Sequence, residues 1–230
     1  MKNQHFGENR DLLKFDLVTE VLKSGLAEHF LYVPMLTPDD QGKETEHICR
    51  HESTGGGANA KLMDFLDYCV VNDKRQVSQL ENYFRDLGYS AQVYTAEKYL
   101  TAENRESYFE EINWQIVPRS LVLIDPDMGL EEVADSSSNL KYAEIQDIYN
   151  ALDDNSILMF TQKFPYEMYT EYLEARIAEI KNQIPSAQPV SLDDLDSIIF
   201  FLPKSTEMLD RLVGVLQEYT QKYYQKADAK

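Results

Sequence analysis

Cysteine is nearly missing from this chain. Cys49 and Cys69 are the only two in 230 residues, too few for a disulfide framework and too far apart for a Cys-x-x-Cys motif. Their scarcity predicts a reducing, cytoplasmic setting. Basic residues are scarce as well, 22 Lys and Arg against 40 Asp and Glu, for a formal charge of −18. Such a field repels phosphate backbones and anionic membranes at long range. The acids are spread along the chain rather than gathered in a block, so solubility explains them better than mimicry of nucleic acid. The longest apolar runs, near Ser120–Ile124 and Ile198–Leu202, have the length of strands and cannot span a bilayer. The polar start, Met1 to Asn9, predicts no signal peptide. No Walker loop, GxSxG elbow, zinc-ribbon spacing or GxGxxG after the first strand is present.

What is present alternates between strand and helix. Helices are predicted over Asp11–Lys23 (with Asn9 as its cap), Ala60–Val71, Lys74–Leu87, Glu103–Trp114, Leu140–Leu152, Tyr166–Ile184 and Thr206–Gln225. Strands are predicted over Phe30–Leu36, Ala91–Thr95, Ser120–Ile124, Ser156–Thr161, Pro189–Leu192 and Ser197–Leu202. The unbroken apolar run at Ser120–Ile124 suggests a strand covered on both faces, as in a parallel sheet. The order predicts a Rossmann-like three-layer α/β sandwich, mostly parallel, with an antiparallel edge from the two late strands. One domain over residues 1–230 is expected, with a loop or lid at 37–59 that carries Gly55-Gly56-Gly57.

In an open α/β sheet, ligands bind beyond the carboxyl ends of the strands. Asp125 stands where Ser120–Ile124 runs out. The turn that follows is Asp125-Pro126-Asp127-Met128-Gly129-Leu130-Glu131. Its three carboxylates repel one another unless a lysine, an arginine or a hard divalent cation such as Mg²⁺ neutralises them. Asp125 and Asp127 are therefore the candidate catalytic pair, and Glu131 joins them if a metal is bound. Arg10 and Lys14, four residues apart, share a helix face that could hold a phosphate or the acidic turn, although a surface salt bridge explains the spacing as well. Gln162 and Lys163 end the next strand and suit a base edge and a phosphate. Lys141, which opens the helix after the acidic loop, suits a phosphate too. His47 and His51 flank Cys49 at zinc half-site spacing, but no acidic partner follows His47. The tyrosines of Tyr219 to Tyr224 read as a packed or partner-binding helix end.

Two resemblances rest on these residues. Gly7 to Leu17, Val33 to Thr37, Asp125 to Glu131, Lys141-Tyr142 and Gln162 resemble an uncharacterised bacterial and phage family, which implies a fold but no activity. More distantly, the strand order and the Asp125-Pro126 turn resemble Rossmann-like, S-adenosylmethionine-dependent methyltransferases that modify an exocyclic amino group. That resemblance implies that Asp125 accepts hydrogen bonds from a target amine, that S-adenosylmethionine is the cofactor and that the substrate is a nucleic acid or nucleotide. Asp127 replaces the second proline of the family's turn and Met128 its aromatic. Pro34 to Asp40 stands where the family carries a glycine-rich loop. Two alternatives stay open. One is a Mg²⁺-dependent nuclease or phosphohydrolase using Asp125, Asp127 and Glu131, slightly similar to the acidic turn of topoisomerase-primase domains. The other is a non-catalytic acidic protein that holds a basic protein partner.

Overall fold

The burial of Ser120–Ile124 on both faces organises the molecule. A computed structural model describes residues 1–40, 56–94, 98–112, 118–131, 138–163, 169–193 and 197–224. The helices are α1 (Asn9–Lys23), α2 (Ala60–Val71), α3 (Gln79–Asp86), α4 (Arg105–Glu110), α5 (Tyr142–Ala151), α6 (Tyr169–Gln183) and α7 (Thr206–Tyr224). The strands are β1 (His29–Val33), β2 (Ser90–Val93), β3 (Ser120–Ile124), β4 (Gly129–Leu130), β5 (Asn139–Leu140), β6 (Ile157–Lys163), β7 (Val190–Asp193) and β8 (Ser197–Pro203).

Six strands form one sheet in the order β2-β1-β3-β6-β8-β7. The β2, β1, β3 and β6 neighbours run parallel, while β8 runs antiparallel to both β6 and β7. The fold is thus α/β and Rossmann-like, with its antiparallel pair at one edge as expected. Alternate side chains of each strand point to opposite faces. Phe30, Tyr32, Leu121, Leu123 and Met159 pack under α1, α2, α3 and α7, and Leu31, Val33, Val122, Ile124 and Phe160 pack under α4, α5 and α6. These are the three layers. β4 and β5 form a separate parallel pair just beyond the sheet.

Some local expectations change. Glu8, not Asn9, is the residue before α1, and it makes no side-chain cap bond. α1 is not a one-stripe surface helix. It lies between the sheet, α2 and α7, so Asp11, Lys14, Asp16 and Thr19 are buried along with its leucines. α3 begins at Gln79 because Lys74 to Gln76 are irregular, with the Lys74 N–H bonded back to the Cys69 carbonyl, and Val77 and Ser78 form a turn. Most of the predicted lid, including His47, Cys49 and His51, lies outside the described residues. Among the described residues, no helix is long and apolar enough to cross a membrane.

Candidate functional site

The carboxyl ends of β1, β3 and β6 lie side by side. A cleft of about 350 Å³ opens there, bounded by the start of α1, the segment Met1 to Glu8, the Asp125–Met128 turn and the end of β6. Asp125 is at its base. The Asp125 N–H donates to the Val33 carbonyl (2.9 Å) and so extends the β1–β3 pairing into the turn.

Asp125 is 5 % exposed, so its carboxylate requires partners from the fold. Lys14 Nζ donates to Oδ2 at 2.5 Å, the Tyr32 hydroxyl to the same oxygen at 2.7 Å, and the Thr161 hydroxyl to Oδ1 at 2.7 Å. Lys14 also holds Asp11 at 2.8 Å, and Asp11 accepts the Gly7 N–H at 2.8 Å. Burial by itself pushes the Asp125 carboxyl upward. The Lys14 ammonium, the nearby amino terminus and the Tyr32 hydroxyl outweigh it and hold the group below the usual carboxylate value. Burial likewise pulls Lys14 down, but its two carboxylate partners raise it above the usual lysine value. The pair is ionised on both counts. Burial first, and then Asp125, push the Tyr32 phenol well above its usual value, so Tyr32 is a donor and not an acid.

The rest of the turn is held from below. Gln162 Oε1 accepts the Leu130 N–H (2.7 Å), and its Nε2 donates to the Lys163 carbonyl (3.0 Å) and the Tyr172 hydroxyl (2.6 Å). Gly129 adopts φ +89, and a Cβ there would lie 2.5 Å from Gln162 Oε1. A glycine is required at this one position both by conformation and by the amide packed against it.

The structure brings Asp125, Asp127, Arg10, Lys14, Gln162 and Lys163 into one cleft. Lys14 is not the surface ion-pair partner its spacing suggested, because α7 and α2 cover the helix that carries it. The Gln162 amide is committed to the turn and to α6. Lys141 opens α5, and neither it nor Glu131 lines the cleft. Glu131 instead accepts the Tyr142 N–H at 2.8 Å. Asp125, Asp127 and Glu131 are not gathered around one point, and among the described residues no three acidic, His or Cys side chains are grouped to hold a metal. Sequence reasoning missed Thr161, Asp11 and the His5–Glu8 pair (2.6 Å) at the cleft, and the fully buried Tyr32 that donates to Asp125. The alternation of β1 and β6 could have flagged Tyr32 and Thr161 only once the strand register was known.

A second, more open groove of about 510 Å³ adjoins the cleft. Thr37 and Pro38 after β1, Leu100 to Glu103 after β2, and Ser138 line it. Lys2 and Asp127 line both.

No protein-family model and no curated protein sequence matches the chain. Among solved structures it is similar to a candidate methyltransferase from Thermobifida fusca YX, at 14 % identity and a TM-score of 0.36, over 86 % of this chain and 80 % of that one. It is also similar to human methyltransferase-like protein 13 in complex with SAH, at 11 % identity and a TM-score of 0.38, over 95 % of this chain and 91 % of that one. The fold assignment rests on the strand order given above.

Proposed function

We propose that this chain is a methyltransferase-like enzyme whose substrate, a nucleic acid or nucleotide, enters the cleft beside Asp125. One observation carries the reading. Two grooves beyond the carboxyl edge of the sheet share Lys2 and Asp127 as a common wall. Group transfer needs donor and acceptor held next to each other, and adjoining grooves supply that.

The donor set of the second groove fits S-adenosylmethionine. Hydrogen bonds from its own backbone and from Thr101 hold the exposed Glu103 carboxyl below the usual value, so it is an ionised acceptor suited to ribose hydroxyls. Pro38 and Leu100 offer apolar walls for a base. No glycine-rich loop is used: Met35 takes the left-handed turn after β1 at φ +45. When bound, S-adenosylmethionine supplies an electrophilic methyl group.

The chain's own residues divide the remaining work. Asp125 is already occupied by three donors, so it serves as a positioning residue that anchors the turn. Asp127 is half-buried and has no hydrogen-bond or ion-pair partner among the described residues, which leaves it to accept a hydrogen bond from a target amine. Arg10 and Lys163 orient the anionic part of the substrate. Calorimetry with S-adenosylmethionine and S-adenosylhomocysteine tests the reading. Micromolar binding of both is expected, and binding of neither removes it.

The saturated Asp125 also favours a second reading, a non-catalytic protein that binds a partner with the same cleft. Recovery of one stoichiometric basic protein in pull-downs, with no methyl transfer to any nucleotide, would favour it.

A further inference from the structure

We infer that the cleft takes a free, mononucleotide-sized molecule bearing one anionic group and one hydrogen-bonding amine, and not a polynucleotide. The inference rests on the cleft being the substrate site proposed above, and it narrows what that substrate is.

The ionic partners in the cleft decide the chemistry. Lys2 is spent on Asp40 at 2.5 Å, and His5 on Glu8. Lys14 is spent on Asp11 and Asp125. Three charged side chains then remain without an ion-pair partner among the described residues: Arg10, Lys163 and Asp127. Two cations can clasp one phosphate or carboxylate by charge-assisted hydrogen bonds. One carboxylate can accept from an amine. Lys163 Nζ lies 3.6 Å from the Met128 sulfur. Met128 is one of few large apolar side chains left exposed among the described residues (49 %), and its thioether presents a polarizable face to a flat ring beside that cation.

Size and field exclude the polymer. A volume of about 350 Å³ lies at the small end of ligand sites and accommodates one nucleotide unit. A longer strand would bring further phosphates, for which the cleft has no further unpaired cationic side chain, and its Met1 ammonium is buried and directed at the Met35 and Asp125 carbonyls. It would also bring them toward a chain of charge −18. Affinity for a polynucleotide grows with the number of phosphates neutralised, and here that number stops at one.

Calorimetry at low salt tests this with adenosine 5′-monophosphate, adenosine, inorganic phosphate and a single-stranded deca-deoxyadenylate, and with S-adenosylmethionine alongside. The monophosphate is expected to bind about tenfold more tightly than adenosine or inorganic phosphate, since each end supplies a hydrogen-bonded contact. Lys163→Ala and Arg10→Ala should each weaken the monophosphate about tenfold and leave adenosine unchanged. Asp127→Asn should weaken both the monophosphate and adenosine. Tighter binding of the oligonucleotide, equal binding of inorganic phosphate, or a monophosphate affinity untouched by both cation variants would overturn the inference. No monophosphate binding alongside retained S-adenosylmethionine binding overturns it alone. Retained monophosphate binding with no S-adenosylmethionine binding sinks only the methyl-transfer reading.

Discussion

The Lys14 ammonium is the residue on which the candidate site depends most. Removing it in Lys14→Met leaves Asp11 and Asp125 buried without their ion-pair partner, and breaking a buried pair in this way costs about 3–5 kcal/mol. Asp125→Asn leaves Lys14 with Asp11 and should cost less, about 1–3 kcal/mol. Chemical denaturation of the two variants tests the order. The pH dependence has a definite sign. The folded pKa of Asp125 is depressed, so its contribution is present above the unfolded carboxylate value and is lost as pH falls through the folded one. The folded pKa of Lys14 is raised, so its contribution is full below the unfolded lysine value and is lost as pH rises through the folded one. The gap between wild type and Lys14→Met should therefore be full at about pH 9 and close steadily as pH falls, first as the uncompensated, burial-raised carboxylates of the variant protonate and then as Asp125 of the wild type does. A gap that widens in acid would contradict the ionised pair. At Gly129 the cost is steric. Gly129→Ala forces a Cβ against the Gln162 amide at positive φ, which should cost about 1–3 kcal/mol. Adding Gln162→Ala removes the clash, so the double variant should lose less than the sum of the singles.

At the scale of elements, each helical layer is tied internally by a single charged residue. Arg105 of α4 reaches Glu144 of α5 with two nitrogens, at 2.5 and 2.7 Å, and the Asn139 carbonyl of β5 at 2.5 Å. α4 has six residues and could not hold its helix alone. Arg105→Ala should raise amide exchange across α4 and the start of α5 and leave β1 and β3 protected. Uniform loss of protection would mean that the link supports the whole fold. On the other face, Asp16 of α1 joins Asn59 before α2 (2.7 Å) and Tyr223 of α7 (2.6 Å). These ties were not legible in the sequence, whereas the elements mostly were. β3 and β8 show as unbroken apolar runs because both of their faces are covered, and α2 and α7 show as apolar stripes. β4 and β5 did not show. A two-residue pair has no period to read, and the Asp125–Asn139 stretch passes for plain loop. The acidic turn was legible as a candidate site because a strand end can be located from hydropathy. The partners of Asp125 were not, because Lys14, Tyr32 and Thr161 come from three elements distant in sequence. Only the β1–β3–β6 register brings them together. The same register explains why Lys14 looked like a surface residue: its spacing from Arg10 is visible in the chain, and the helices that cover it are not.

For the whole molecule, charge acts twice and with opposite signs. The excess of acids repels itself across the surface and works against the compact state. Salt screens exposed charges over about 10 Å at about 0.1 M, and buried pairs far less. Raising NaCl from about 0.01 M to about 0.3 M should therefore raise the thermal midpoint of the wild type. The stability gap between wild type and Lys14→Met should hardly move, since both members of the Lys14–Asp125 pair are almost fully buried. Binding of adenosine 5′-monophosphate should weaken over the same range, because Arg10 and Lys163 meet its phosphate at the mouth of a hydrated cleft. Thermal denaturation and calorimetry across one salt series give all three readouts. The exposed pairs Arg119–Glu28 and Lys98–Glu111 would act the other way, each losing strength with salt. Such pairs contribute little singly, and the described ones are too few to offset the net charge. A midpoint that falls with salt would show that local surface pairing, and not the global excess of acids, sets the electrostatic stability of this chain.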